Sequence, residues 1–67
     1  MTIEIEYYEQ LCSGWVGAGA GSYRANESAI DRMHGLWMGI RDKETRDMID
    51  RYADVAKARR DDLRGGA

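Results

Sequence analysis

The C-terminal third of the chain constrains the fold most, because it reads as one continuous charged helix. Residues 42–63 contain no glycine and no proline, and apolar or long-stemmed side chains recur there at the helical spacing of three and four. The apolar stripe is narrow and consists mainly of Ile49, Tyr52, Ala56 and Leu63. A helix of this length is marginal alone in water, so we expect the stripe to pack against the rest of the chain or against another protein.

The length of the chain allows one small domain and a small core. We expect this domain to span residues 1–64 of the 67, with a frayed tail at residues 65–67. Domains of this size often rely on disulfides, a metal or a partner. The single cysteine, Cys12, and the single histidine, His34, supply neither an internal disulfide nor a zinc ligand set. We therefore expect no metal and no cofactor, and a homodimer or a tight complex with a larger protein.

The N-terminal residues allow two interpretations. Residues 2–8 alternate apolar and acidic side chains, as an edge strand would. A helix is the preferred interpretation, because the alternation stops by Tyr8 whereas a helical period runs on to Val16. Its apolar face comprises Ile5, Tyr8, Leu11, Cys12, Trp15 and Val16.

Glycines in residues 14–21 are predicted to break this helix and to form a flexible connector. The run GAGAGS at residues 17–22 could also expose backbone N–H groups to a phosphate, but no apolar strand precedes it and no lysine follows it. A second helix is then predicted to be capped by Asn26, in preference to Ser22, and to end at Gly39. Its apolar face comprises Ala29, Ile30, Met33, Leu36, Trp37 and Ile40. Asp42 is the predicted cap of the long charged helix.

These elements predict an all-α fold. The long charged C-terminal helix packs on the central helix as a small helical hairpin, preceded by a short N-terminal helix and the glycine-rich connector. The short connection between residues 39 and 42 predicts that the two main helices are antiparallel.

Aromatic, methionine and arginine side chains are the candidate partner-binding residues, since these types are enriched at interaction hot spots. Met38 falls on a different side of its helix from the apolar face, which leaves it for an external contact. Tyr7 and Tyr23 have the same expected role, whereas Trp37 is expected in the core and Trp15 serves both core and partner. Arg59 and Arg60 belong to a basic cluster that would touch phosphate or a partner. The six candidates are Tyr7, Trp15, Tyr23, Met38, Arg59 and Arg60.

Charge and composition favour a protein-binding function. The net charge of -2 and the pI near 5.2 argue against a strong hold on a nucleic-acid backbone, so nucleic acid is expected as an indirect partner only. No apolar run reaches the ~20 residues of a membrane span, and the lone cysteine suits a reduced cytoplasmic setting. Neither His34 nor Cys12 has a second member of a catalytic pair, so we do not expect an enzyme.

The predicted function is a small interaction module that binds and inhibits or redirects a larger macromolecular complex, as accessory proteins of phages and mobile elements do. One alternative is a transcription accessory factor that acts on RNA polymerase or nucleic acid, and another is a structural assembly subunit. The segment LCSGWVGAGAGSYRANESAIDRMHG, residues 11–35, resembles the tryptophan- and glycine-containing N-terminal segment of phage antitermination proteins of the Q type. That family modifies RNA polymerase and continues into a DNA-binding region, whereas this chain continues into one charged helix. The resemblance implies no role for an individual residue.

Overall fold

Three helices make up the fold. The computed structural model describes residues 2–19 and 21–65, and in them the order is α1 (Thr2–Ala18), α2 (Tyr23–Gly39) and α3 (Lys43–Gly65). The described part contains no strand, so the helical interpretation of residues 2–8 is confirmed. The helices pack into an all-α bundle with principal extents of 43 × 17 × 14 Å. The long dimension follows α3, whose 23 residues span about 34 Å at 1.5 Å per residue.

The three helices run up, down and up. Trp37 of α2 lies beside Arg46 of α3, whereas Ile30 lies near Ala53, so α2 and α3 are antiparallel as predicted. Val16 of α1 lies beside Arg59 of α3, and Glu9 lies near Tyr52, so α1 is parallel to α3. The α2–α3 contact is the most extensive of the three.

The helix ends differ from the sequence prediction in two places. Gly14 and Gly17 lie within α1, because both are on its exposed surface, where a helical glycine costs only about 1 kcal/mol. The predicted break from Gly14 is therefore wrong, and α1 has 17 residues, the same length as α2, rather than being short. The cap of α2 is Ser22, whose Oγ accepts from the Ala25 N–H at 3.2 Å, and not the preferred Asn26.

The predicted ends near the α2–α3 turn and in α3 are closer to the structure. α2 ends at Gly39, and Asp42 caps α3 by accepting from the Thr45 N–H at 3.0 Å and the Thr45 hydroxyl at 2.6 Å. Gly65 is the last residue of α3, and the remainder of the predicted tail, residues 66–67, lies outside the described residues.

The core lies where the three helices meet. Its buried apolar residues are Cys12, Val16, Ala29, Met33, Met48, Ile49 and Ala56. Ile49 and Ala56 belong to the stripe predicted for α3, and Tyr52 packs against the same core. Leu63 remains 43% exposed, because α3 continues beyond the level at which α1 ends. Within the described residues, no helix is both long enough and apolar enough to cross a membrane.

Candidate interaction site

One side of the bundle, formed by α1 and α2, carries little charge among the residues whose side chains the structure describes, 5–19 and 21–64. Trp15 and Ala18 of α1 line a hollow of about 180 Å³ together with Ala25, Ser28 and Arg32 of α2. Residues at helical spacing extend this side along both helices. We call it the α1–α2 face, and it comprises Tyr7, Leu11, Gly14, Trp15, Ala18, Ala25, Ser28, Arg32, Leu36 and Gly39. Arg32 is the one charged residue in this set, whereas about a third of the whole chain is charged (33%).

Trp15 is the largest side chain at the centre of this face. It is half-buried, since its inner edge packs against the core while its outer edge lines the hollow. The residues around it are small, and they let another helix approach the backbone closely. A tryptophan fixed in this way presents apolar area without a large loss of side-chain entropy on binding.

A buried asparagine holds α1 and α2 in this arrangement. Asn26 is fully buried, and its Nδ2 donates to the Gly19 carbonyl at 2.6 Å and to the Ser22 carbonyl at 2.8 Å. Gly19 is buried as well, and the backbone of α2 approaches it so closely that a Cβ there would lie 3.2 Å from atoms of Ala25 and Asn26. The Gly19 end of the connector is thus a packed turn rather than the flexible segment predicted from its glycines, and it fixes the two halves of the α1–α2 face relative to each other.

Arg59 fastens α1 to α3. Its Nη1 donates to the Val16 carbonyl at 3.0 Å, in the last turn of α1, where the backbone carbonyls have no partner within the helix. The cation also lies at the negative end of the helix dipole of α1. Arg59, one of the six residues predicted to bind a partner, thus makes a contact within the chain. Its role in partner binding stays a prediction.

On the opposite side of α2, a groove of about 350 Å³ separates α2 from α3. Its floor is apolar and contains Ile30, Met33, Trp37, Ile49 and Ala53. Its rim is polar, with Asp31 and His34 on α2 and with Asp50 and Lys57 on α3. We call this the α2–α3 groove.

Trp37 closes one end of the α2–α3 groove. The guanidinium carbon of Arg46 lies 3.8 Å from the centre of the Trp37 ring, which is a cation–π contact across the two helices. The His34 ring is parallel to Trp37 to within 9° at a centroid distance of 6.4 Å. His34 is itself exposed, and its ring stacks on Trp37.

The six predicted partner-binding residues do not form one surface. Tyr7 is 58% exposed and Met38 is 68% exposed, but they lie on different sides of the bundle. Tyr23 is less exposed, and its hydroxyl donates to Glu27 at 3.5 Å near the α2–α3 groove. Arg60 is paired with its neighbour Asp61 at 3.4 Å. Only Tyr7 and Trp15 fall on the α1–α2 face.

Sequence reasoning missed three residues that define the two surfaces. Asn26 was assigned to a cap, although its apolar neighbours Ala29 and Ile30 were a signal that it lies on the buried side of α2. Arg46 packs on Trp37 across the two helices, a contact that no pattern within α3 alone indicates. Arg32 carried no local signal, because it stands out only as the one charged residue among the members of the α1–α2 face, which two helices form together.

The metal-ligating and nucleophilic side chains of the described residues are scattered. No three side chains of His, Cys, Asp and Glu come together as metal ligands within residues 2–19 and 21–65. Burial raises the pKa of the Cys12 thiol, which favours the unreactive protonated form.

Comparison with known proteins finds no matching family model, no significantly similar curated protein and no significantly similar solved structure.

Proposed function

We propose that this protein is a non-enzymatic interaction module that binds a helix of a larger protein on the α1–α2 face. By covering that helix, it inhibits or redirects the complex to which the larger protein belongs. The observation that carries the proposal is the nearly uncharged α1–α2 face with Trp15 at its centre. Depletion of charge around a rigid aromatic residue distinguishes the centre of a protein interface from ordinary surface.

The chemistry of the face specifies its occupant. Small residues at Gly14, Ala18, Ala25 and Ser28 make a shallow surface that suits the ridge of a helix better than a long loop. Arg32 is exposed beside the hollow, so a partner helix that buries this face must neutralise its charge. We therefore propose an amphipathic partner helix that carries an aliphatic stripe and one carboxylate opposite Arg32.

A cytoplasmic location is part of the same proposal. It is supported by the free and fully buried thiol of Cys12, which a reducing compartment preserves.

Site-specific photocrosslinking in the cells that produce the protein tests the proposed function. A photoactivatable residue at Ser28 should crosslink to a helical segment that contains a carboxylate, whereas one at Asp54, an exposed position on α3, should not. The Trp15→Ala variant should lower the yield at least ten-fold, a loss of about 1.4 kcal/mol or more. Circular dichroism of that variant must show intact helices for this result to count.

A charge exchange decides whether the captured helix is the proposed occupant. The Arg32→Glu variant should abolish the crosslink, and a change of the partner carboxylate to lysine should restore it. The control is Arg51→Glu, which makes the same change at an exposed position on α3, outside the face. Equal crosslinking from Ser28 and Asp54, or an Arg32→Glu variant that binds normally, would rule out the α1–α2 face as the binding site.

A further inference from the structure

From the α2–α3 groove, we infer that it is the dimer interface of this protein and that its occupant is the same groove of a second copy. This surface is separate from the α1–α2 face, because the two lie on opposite sides of α2. The inference rests on three observations: the apolar floor of the groove, the sign of the charges on its two walls, and their heights along the bundle.

At one end of the groove, the α2 wall is acidic and the α3 wall is basic. On the α2 wall, Asp31 lines the groove and Glu27 precedes it by one helical turn. On the α3 wall, Lys57 lines the same end of the groove and Arg60 follows it by three residues, while Asp50 lies farther along the groove, level with His34. Among residues 2–19 and 21–65 the ion pairs within 4 Å are Lys43 with Asp47 and Arg60 with Asp61, so no ion pair described there crosses the groove.

The heights of these charges correspond because α2 and α3 are antiparallel. Trp37 is level with Arg46, which places Asp31 about level with Tyr52 and Lys57 about level with Asn26. Helical side chains lean toward the N-terminus of their own helix, so Asp31 and Lys57 lean toward each other in height. The same geometry brings Glu27 to the level of the Arg60 head group.

A two-fold axis parallel to the helices brings the acidic side chains of each copy opposite the basic side chains of the other. Such an axis preserves height and places α2 of one copy against α3 of the other, so that the two hairpins form a four-helix arrangement. Asp31 then faces Lys57 of the second copy, Glu27 faces its Arg60, and His34 faces its Asp50. A two-fold axis perpendicular to the helices would instead bring α2 against α2, without this match of acidic and basic walls.

The floor of the groove supplies the apolar part of the interface. Ile30, Trp37 and Ala53 are half-buried in one copy and would be covered by the second. Met38, at the edge of the α2 wall, is 68% exposed and would pack beside Arg46 of the other copy. Covering these side chains adds the apolar burial that a chain with so small a core lacks.

The test measures the dimer by sedimentation equilibrium over micromolar to millimolar concentrations of the full chain. The wild type should dimerise, and Asp31→Lys and Lys57→Asp should each raise the dissociation constant about ten-fold or more, because each makes two like-charge contacts. Matched controls are Asp62→Lys and Arg51→Asp, which change the same charges at exposed positions outside the groove and should leave the dimer unchanged. All four positions are exposed, and circular dichroism verifies that each variant is folded.

A mixture of the two groove variants then tests the arrangement itself. In a heterodimer of Asp31→Lys with Lys57→Asp, both contacts are again between opposite charges, so native mass spectrometry should show the heterodimer in excess over either homodimer. The double variant should likewise recover the wild-type dissociation constant. A wild-type monomer throughout the concentration range, a dimer indifferent to both changes, or a mixture without heterodimer would each overturn the inference.

Discussion

At the scale of single residues, this small bundle depends on a few polar contacts whose geometry leaves little freedom. Asn26 is the clearest case, because it is fully buried and bridges the Gly19 and Ser22 carbonyls while its own Oδ1 has no partner among the described residues. The Asn26 amide thus stabilises the fold through its Nδ2 donors and not through its Oδ1 acceptor. A side chain of the same shape that lacks those donors should therefore be worse than none.

We predict that Asn26→Asp destabilises the protein more than Asn26→Ala. The aspartate would place a buried charge against two carbonyl oxygens, at a cost of about 3 kcal/mol or more, whereas alanine only loses the two hydrogen bonds, at about 1–3 kcal/mol. Urea unfolding followed by circular dichroism measures both. If Asn26→Asp were as stable as Asn26→Ala or more stable, the amide donors of Asn26 would not be what holds the connector.

Asp42 should make the stability of α3 depend on pH. Hydrogen bonds from the Thr45 hydroxyl and the Thr45 N–H lower the pKa of the Asp42 carboxyl below its ordinary value. Because the pKa of Asp42 is lowered in the folded state, its carboxylate stabilises the fold above the ordinary aspartate pKa. This stabilisation is lost as the pH falls through the lowered pKa. Thermal unfolding between about pH 5 and pH 2 should show a loss of stability that is smaller in Asp42→Asn. An identical pH profile for both proteins would contradict the prediction.

At the scale of the elements, sequence reasoning works where the signal is local and fails where it depends on another helix. The Asp42 cap, the end of α2 at Gly39 and the helical period of α3 are properties of adjacent residues, and each is confirmed. Gly14 was expected to break α1, but a glycine on an exposed helical surface is tolerated when the neighbouring turns are anchored by packing of Cys12 and Val16.

The two candidate surfaces could not be predicted from the sequence. Each combines two helices, and their relative rotation is not encoded in either one alone. Trp15 and Tyr7 were identified by residue type, yet the low charge of their surface becomes visible only when α2 contributes Ser28 and Leu36 beside them. Likewise, Lys57 and Asp31 are unremarkable until α2 and α3 place them on facing walls.

Two glycines should respond in opposite ways to the same substitution. At Gly35, inside α2, an added Cβ meets nothing within 4 Å, so Gly35→Ala should stabilise the protein by about 0.5–1 kcal/mol. At Gly19 the same Cβ would lie 3.2 Å from the backbone of Ala25 and Asn26, so Gly19→Ala should destabilise it by about 1–3 kcal/mol. Denaturant midpoints of the two variants measure the difference, and a shift in the same direction for both would contradict it.

At the scale of the whole molecule, the bundle is a well-joined hairpin with a third helix docked on it. The α2–α3 contact is the most extensive, whereas α1 is held by Cys12 and Val16 in the core, by the bond from Arg59, and by the bond from Asn26 to Gly19 just beyond its end. If both proposed surfaces are used, the α2–α3 groove joins two copies, and each copy presents its α1–α2 face outward. Such a dimer would bind two partner helices, and the linkage would raise its avidity for an oligomeric target.

Because α1 is the less firmly held helix, we predict that it undocks before the hairpin unfolds. Cys12 is the single cysteine, and it is completely buried between α1 and the hairpin, so a thiol reagent should reach it only when α1 opens. The opening free energy from Cys12 labelling should therefore be lower than the free energy of global unfolding from urea. Arg59→Ala should lower the opening free energy by about 1 kcal/mol, because it removes the bond to Val16, while Arg51→Ala, an exposed control on α3, should not. Labelling that tracks global unfolding in every variant would show instead that all three helices open as one unit.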